Sequence, residues 1–240
     1  MEEKENIIID NLINKYSLST KDKKEFKKII LPIVRNDNFK VRLTDMFPHH
    51  GNITLGEHII EDAIVTYKIS KKKKQNKDFR HDLAVIIAMF HDLYTIPWQN
   101  NKDSTVKHFF HKHGFRHPVE AVINAITWYP DYFKNKDEAK IIIDGIVHHM
   151  HPLPVSYIDF DKISYFELKN EDLCSNLLNW QKDIIVESLR RRKIGPVSIS
   201  KSIYNEGAIM SKADRIVSRK QINDFTTLKS LITGHNKNIK

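Results

Sequence analysis

Residues 83–92 read Leu83-Ala84-Val85-Ile86-Ile87-Ala88-Met89-Phe90-His91-Asp92, an unbroken apolar run that ends in a histidine and an aspartate. The run falls well short of the ~20 apolar residues that a membrane span requires, so it reads as a core segment. His91 and Asp92 then sit at the buried end of a core helix. A carboxylate buried there without a partner is costly, and a bound divalent cation would compensate it. The dipeptide occurs once more as His81-Asp82, after Lys77, Asp78 and Arg80 at the polar start of the same helix. An aspartate near the positive end of a helix dipole is common at the surface, so this second pair is expected to be a decoy.

Outward from this helix, glycine is scarce and no segment sustains an alternation of apolar and polar residues, whereas helical spacing recurs throughout. An all-α protein is expected, with helices over 3–15, 21–35, 55–73, 79–93, 118–128, 137–149, 171–192 and 206–221. Thr54 and Glu57 form a capping box, which puts His58 in the opening turn of a helix. Pro118 suits a first helical position, where its missing amide hydrogen has no partner to lose, so His117 is expected as the cap. Pro97, Pro130, Pro152, Pro154 and Pro196 punctuate loops. The stretch 150–170 is the least regular and reads as a lid or insertion.

The 240 residues fit one large domain, or one domain with an appendage. An apolar fraction of 40% and a charged fraction of 29% describe a soluble globular chain without a transmembrane segment. Glu2, Glu3 and Glu5 stand where a secretory signal would carry basic and then apolar residues, so a cytosolic location is expected. Cys174 is the only cysteine, which excludes an intramolecular disulfide and a cysteine zinc cluster. Metal binding must then rest on histidine and carboxylate. The formal net charge of +9 attracts polyanions by steering, and much of it sits in 71–74, 190–193 and the C-terminal tail.

Helical faces sort the remaining candidates. Ala139, Ile142, Ile146 and His149 share one face, whereas His148 aligns with Ile141 and with Asp144 and Gly145, so His149 is the inward-pointing histidine of the group His148, His149 and His151. Asp214 lies on a stripe with Met210 and Val217, an acid on an apolar face that is either a ligand or half of a salt bridge. His49, His50, His108, His111 and His113 lie in polar, loop-like contexts and are expected to be exposed. His50 and His113 are singled out because each precedes a glycine.

The order His58, His91-Asp92, Asp214 resembles the HD superfamily of metal-dependent phosphohydrolases. The strings His50-Gly51-Asn52-Ile53-Thr54, Gly56-Glu57-His58, Phe90-His91-Asp92, His113-Gly114-Phe115-Arg116-His117-Pro118 and His149-Met150 are similar to those of small bacterial HD-domain hydrolases. The resemblance implies a helical HD bundle over 46–222, with an N-terminal helical extension over 1–45, an insertion or lid over 154–205, and a C-terminal helix and basic tail over 223–240. It also implies that His58, His91, Asp92 and Asp214 bind one metal, and that His117 and His149 bind a second, with Asp92 bridging.

Such a centre would hold two divalent ions of iron, manganese, cobalt, nickel or zinc and would activate a water as nucleophile. His91 and Asp92 stand as the catalytic pair. Arg116 and Lys212, each close in sequence to a ligand, are the candidates for orienting substrate phosphates. The expected activity is hydrolysis of a phosphomonoester or phosphoanhydride, most plausibly of a nucleotide. The alternatives are a vestigial HD domain that binds nucleic acid or a nucleotide through its basic surface, and a di-iron oxygenase on a similar helical scaffold.

Overall fold

A computed structural model describes residues 2–44, 49, 53–72, 78–95, 113–158, 160 and 176–233. In chain order its elements are α1 (Glu2–Lys15), α2 (Thr20–Val34), α3 (Asp37–Thr44), α4 (Leu55–Lys72), α5 (His81–Phe90), α6 (His113–Trp128), a 3-10 turn (Pro130–Phe133), α7 (Lys136–Val147), β1 (Val155–Ser156), α8 (Asn179–Arg190), β2 (Lys193–Ile194), β3 (Val197–Ser198) and α9 (Asn205–Thr233). The fold is predominantly helical, as expected. No described helix is long and apolar enough to cross a membrane.

Local chemistry starts the helices where the sequence signals them. Thr54 Oγ1 accepts from the Glu57 amide at 3.1 Å while Glu57 Oε2 accepts from the Thr54 amide at 2.8 Å, the reciprocal box that opens α4. Ser19 caps α2 through the Asp22 amide, and Asn135 caps α7 through the amides of Asp137 and Glu138. Every residue of the run 83–90 in α5 is buried, and α5 packs against α4, α7 and α9 at the centre of the molecule. Residues of α1 and α2, among them Ile9, Ile13, Phe26, Ile30 and Ile33, belong to the same core, so the N-terminal helices are packed on it.

Two close approaches set the helix geometry. A Cβ on Gly56 would meet the Leu43 Cα at 2.6 Å, so α3 lies directly on the start of α4. A Cβ on Gly145 would meet Ile87 Cδ1 at 2.7 Å, and one on Gly207 would meet the Gly145 Cα at 2.7 Å, so α7 and α9 cross backbone to backbone over α5.

Three details depart from the sequence reading. First, α6 begins at His113, so His117 is inside the helix and not its cap. Pro118 then removes the donor that would serve the Gly114 carbonyl, a loss that water can make good because Gly114 is exposed. Second, the described part of 154–205 carries a three-stranded antiparallel sheet in the order β1-β3-β2, where no strand was expected. Its β2–β3 turn places Gly195 at φ +59°, a conformation natural to glycine, ahead of Pro196. Third, α8 starts at Asn179, later than expected, and α9 runs on to Thr233 across the anticipated boundary near 222.

The inserted region is tied to α7 by a buried carboxylate. Asp144, placed by its pattern on a polar face, is 2% exposed. It accepts from Ser188 Oγ at 3.0 Å, Ser202 Oγ at 2.6 Å and the Ile203 amide at 3.0 Å, and it pairs with Arg191. That face is therefore polar and buried at once, each lone pair being matched by a donor from the insertion. His50, His108, His111, Lys73, Lys74 and Cys174 lie outside the described residues.

Candidate metal centre

The centre forms where α4, α5, α6, α7 and α9 meet. His58 lies in the first turn of α4, His91 caps the C-terminus of α5 with Asp92 next to it, His117 lies in the second turn of α6, His149 follows the C-terminus of α7, and Asp214 comes from α9. All are buried except Asp214, whose side chain is 16% exposed. The six expected ligands are thus brought together.

Hydrogen bonds decide which imidazole nitrogen faces the centre. His91 Nδ1 lies 2.7 Å from the Ala88 carbonyl, and His149 Nδ1 lies 2.7 Å from the Ile146 carbonyl. A carbonyl only accepts, so each Nδ1 carries a hydrogen and each Nε2 is the nitrogen left to face the centre. Both Nε2 atoms are aimed at carboxylates. His91 Nε2 is 3.3 Å from Asp62 Oδ2 and 3.6 Å from Asp92 Oδ2, and His149 Nε2 is 3.6 Å from Asp92 Oδ1. His117 Nε2 lies 3.2 Å from His149 Nε2 and 3.2 Å from Asp92 Oδ1. Imidazole nitrogens and carboxylate oxygens converging in a buried place require protons or a cation between them. The buried His91 Nε2, Asp92 Oδ1 and both Asp62 oxygens have no hydrogen-bond partner among the described residues.

The electrostatics state the same demand. Burial disfavours a charged His91, but the carboxylates of Asp92, Asp62 and Asp214 outweigh it and raise its pKa to about 10. Burial would raise Asp92, yet His91, His117 and His149 outweigh it and hold this carboxyl well below its usual range. Burial pushes Asp62 up, and burial together with the nearby His91 pulls His149 down to about 4. A neutral imidazole is the form that ligates metal.

Two groups of donor atoms are close enough to share an ion: His58, Asp62, His91 and Asp214, and Asp92, His117 and His149. These buried groups could hold a metal ion, and a nitrogen and oxygen donor set fits a divalent transition metal. Asp92 stands between them, Oδ2 at 3.7 Å from His58 Nε2 and Oδ1 at 3.2 Å from His117 Nε2. Asp214 Oδ1 accepts from Ser218 Oγ at 3.0 Å and lies 3.9 Å from His58 Nε2; among the described residues no lysine or arginine pairs with it.

Sequence reasoning passed over Asp62, which is fully buried one turn after His58 with Oδ2 3.0 Å from His58 Nε2. The signal was available, since Asp62 is a carboxylate amid the apolar residues of a core helix, the same anomaly that marked Asp92. His49 was expected to be exposed. It is half-buried, its ring stacked on His58 at 3.9 Å and its Nδ1 3.2 Å from Tyr94 Oη, and it forms a third possible group with His58 and Asp92. His113 was also expected outside, but it is buried against Tyr94 and His117. No local pattern marks either, because both are covered by Tyr94 from another part of the chain.

The other expectations separate cleanly. Asp82 of the decoy pair is bound by Arg80, which also reaches Glu138, at the far end of α5 from His91. His148 points away from the centre, its Nε2 3.2 Å from the Ser188 carbonyl. Arg116 is half-buried and near enough to His113 to disfavour its protonation. Lys212 is not brought to the centre: it lies on the exposed stripe of α9 with Ala208, Arg215 and Arg219, whereas Ser211, Asp214, Ser218 and Gln221 form the inner one. Compared with models of protein families, with curated proteins and with solved structures, the chain shows no match.

Proposed function

We propose that this chain is a metal-dependent phosphohydrolase of the HD type, acting on a phosphomonoester or phosphoanhydride of a nucleotide. The observation that carries the reading is Asp92, whose two oxygens face two separate sets of imidazole nitrogens. A carboxylate so placed suits a pair of cations, one held by His58, Asp62, His91 and Asp214 and the other by His117 and His149, with Asp92 shared. Such ions supply Lewis acidity toward phosphoryl oxygens and acidify a water that can serve as nucleophile.

The chain's own part is positioning. The Ala88 and Ile146 carbonyls hold His91 and His149 in the ligating tautomer, Ser218 holds Asp214, and the surrounding apolar core keeps bulk water from the buried ligands. His49, stacked on His58 and hydrogen-bonded to Tyr94, is a natural contact for substrate. The net charge of +9 draws anionic substrates toward the molecule.

The test is elemental analysis of protein purified without chelators, followed by turnover assays with a generic phosphomonoester, a generic phosphodiester and a nucleotide panel. About two equivalents of metal and chelator-sensitive release of phosphate are expected. Metal-loaded protein that turns over none of these compounds would refute the hydrolase reading.

A further inference from the structure

His91 and His149 are oriented by backbone carbonyls, whereas His58 meets a side chain from a distant helix. Its Nδ1 lies 2.9 Å from Gln221 Oε1, a side chain from α9. An amide can present either end, so the neighbours of Gln221 decide. Its Nε2 donates to Glu61 Oε2 at 2.7 Å, and Glu61 is in turn paired through its other oxygen with Lys15 of α1. A carboxylate that faces a lysine is an acceptor only, so the amide nitrogen must turn to Glu61 and the amide oxygen to His58. His58 Nδ1 must then carry the hydrogen, and Nε2 faces Asp62, Asp92 and Asp214 as a lone pair. Glu61 and Gln221 are 1% and 2% exposed, so water does not compete for the bonds of the Gln221 amide.

We propose that Gln221 is a positioning residue for the metal centre: held by the Lys15–Glu61 pair, its amide oxygen locks His58 in the tautomer that ligates a cation. This gives the N-terminal helix a part in metal binding, through Lys15, and it rests on the metal reading of the cluster. Partners that fix a ligand's tautomer typically govern metal affinity by roughly 10- to 100-fold.

The test uses the full chain. In metal-free protein, two-bond proton–nitrogen correlation of the imidazoles should find His58 as the Nδ1–H tautomer, and Gln221→Met, close to Gln in volume, should shift it toward a mixture. Cobalt titration against a competing chelator should then show an affinity roughly 10- to 100-fold weaker for Gln221→Met, with altered visible bands. The double variant Glu61→Gln with Gln221→Glu exchanges the carboxylate and the amide and keeps a donor facing each acceptor, so it should restore both readouts. An unchanged tautomer and unchanged cobalt affinity in Gln221→Met would overturn the proposal. The tautomer measurement needs no metal: a tautomer that depends on Gln221 in a wild-type protein that binds no cobalt would refute the metal reading alone.

Discussion

Gly145 on α7 and Gly207 on α9 lie so close that a Cβ added to Gly207 would sit 2.7 Å from the Gly145 Cα and 2.4 Å from Ser202 Oγ. The crossing brings the end of α7, with His149, against the helix that carries Asp214, and Ser211 Oγ of α9 bonds the His149 carbonyl there. Gly207→Ala must push the helices apart, because the obstacles include backbone. Overpacking of this kind costs about 1–3 kcal/mol. Urea unfolding should show that loss, and the variant should bind less metal per chain than the wild type.

His91→Ala and Asp92→Ala should each abolish metal content and any metal-dependent turnover. His81→Ala and Asp82→Ala, at the opposite end of α5, should leave both in place, since Asp82 pairs with Arg80 far from the ligands. Wild-type metal content in the His91 and Asp92 variants would dismiss the assignment.

Asp62 offers a separation of stability from function. Its carboxylate is fully buried, and burial outweighs the nearby His58 and His91 and pushes its pKa up, so the charged form weighs against the metal-free fold. Asp62→Asn is expected to raise the urea midpoint of metal-free protein while weakening metal binding. A lower midpoint, with metal affinity intact, would show that Asp62 is a structural acid.

Acid should destabilise the metal-free protein through its buried neutral histidines. Burial lowers His148 to about 4 and His113 to about 3, from 6.5 in a solvated chain. The unfolded chain therefore binds more protons between pH 6.5 and these values, and stability rises with pH in that window. The contribution is complete above about 6.5 and is lost as pH falls to about 4. Urea midpoints at about pH 7 and pH 4.5 should differ accordingly, and His148→Gln should shrink the difference. His91 has the opposite sign: raised to about 10, it stabilises below about 6.5 and that stabilisation is lost as pH rises through 10.

Asp144→Ala should cost about 3–5 kcal/mol, because it leaves Arg191, Ser188, Ser202 and the Ile203 amide facing an empty acceptor position. Proteolysis within 179–203 should become faster, since the inserted region loses its tie to α7. Unchanged proteolysis would mean that its apolar contacts, through residues such as Ile185 and Leu189, hold it alone.

The sequence by itself determined whatever depends on one helix at a time. The all-α class follows from helical spacing, His58 in an opening turn follows from the Thr54–Glu57 box, His91-Asp92 over His81-Asp82 follows from which end of one helix is apolar, and His149 over His148 from which face. Tertiary structure alone decided which polar groups share a buried space. Asp62 was overlooked on its own helix, but its role depends on α5 bringing His91 to it, and Gln221 meets His58 only because the distant α9 packs on α4. Asp144 read only as part of the polar face shared with His148, because the donors that bury it lie in a segment that follows much later in the chain. The start of α6 was misplaced for a local reason, since proline is compatible with more than one early helical position. A period of 3.6 residues reports the environment of a face averaged along one helix. Which helices touch there is set by contacts such as Gly145 against Gly207, whose cause is the shape of two backbones together.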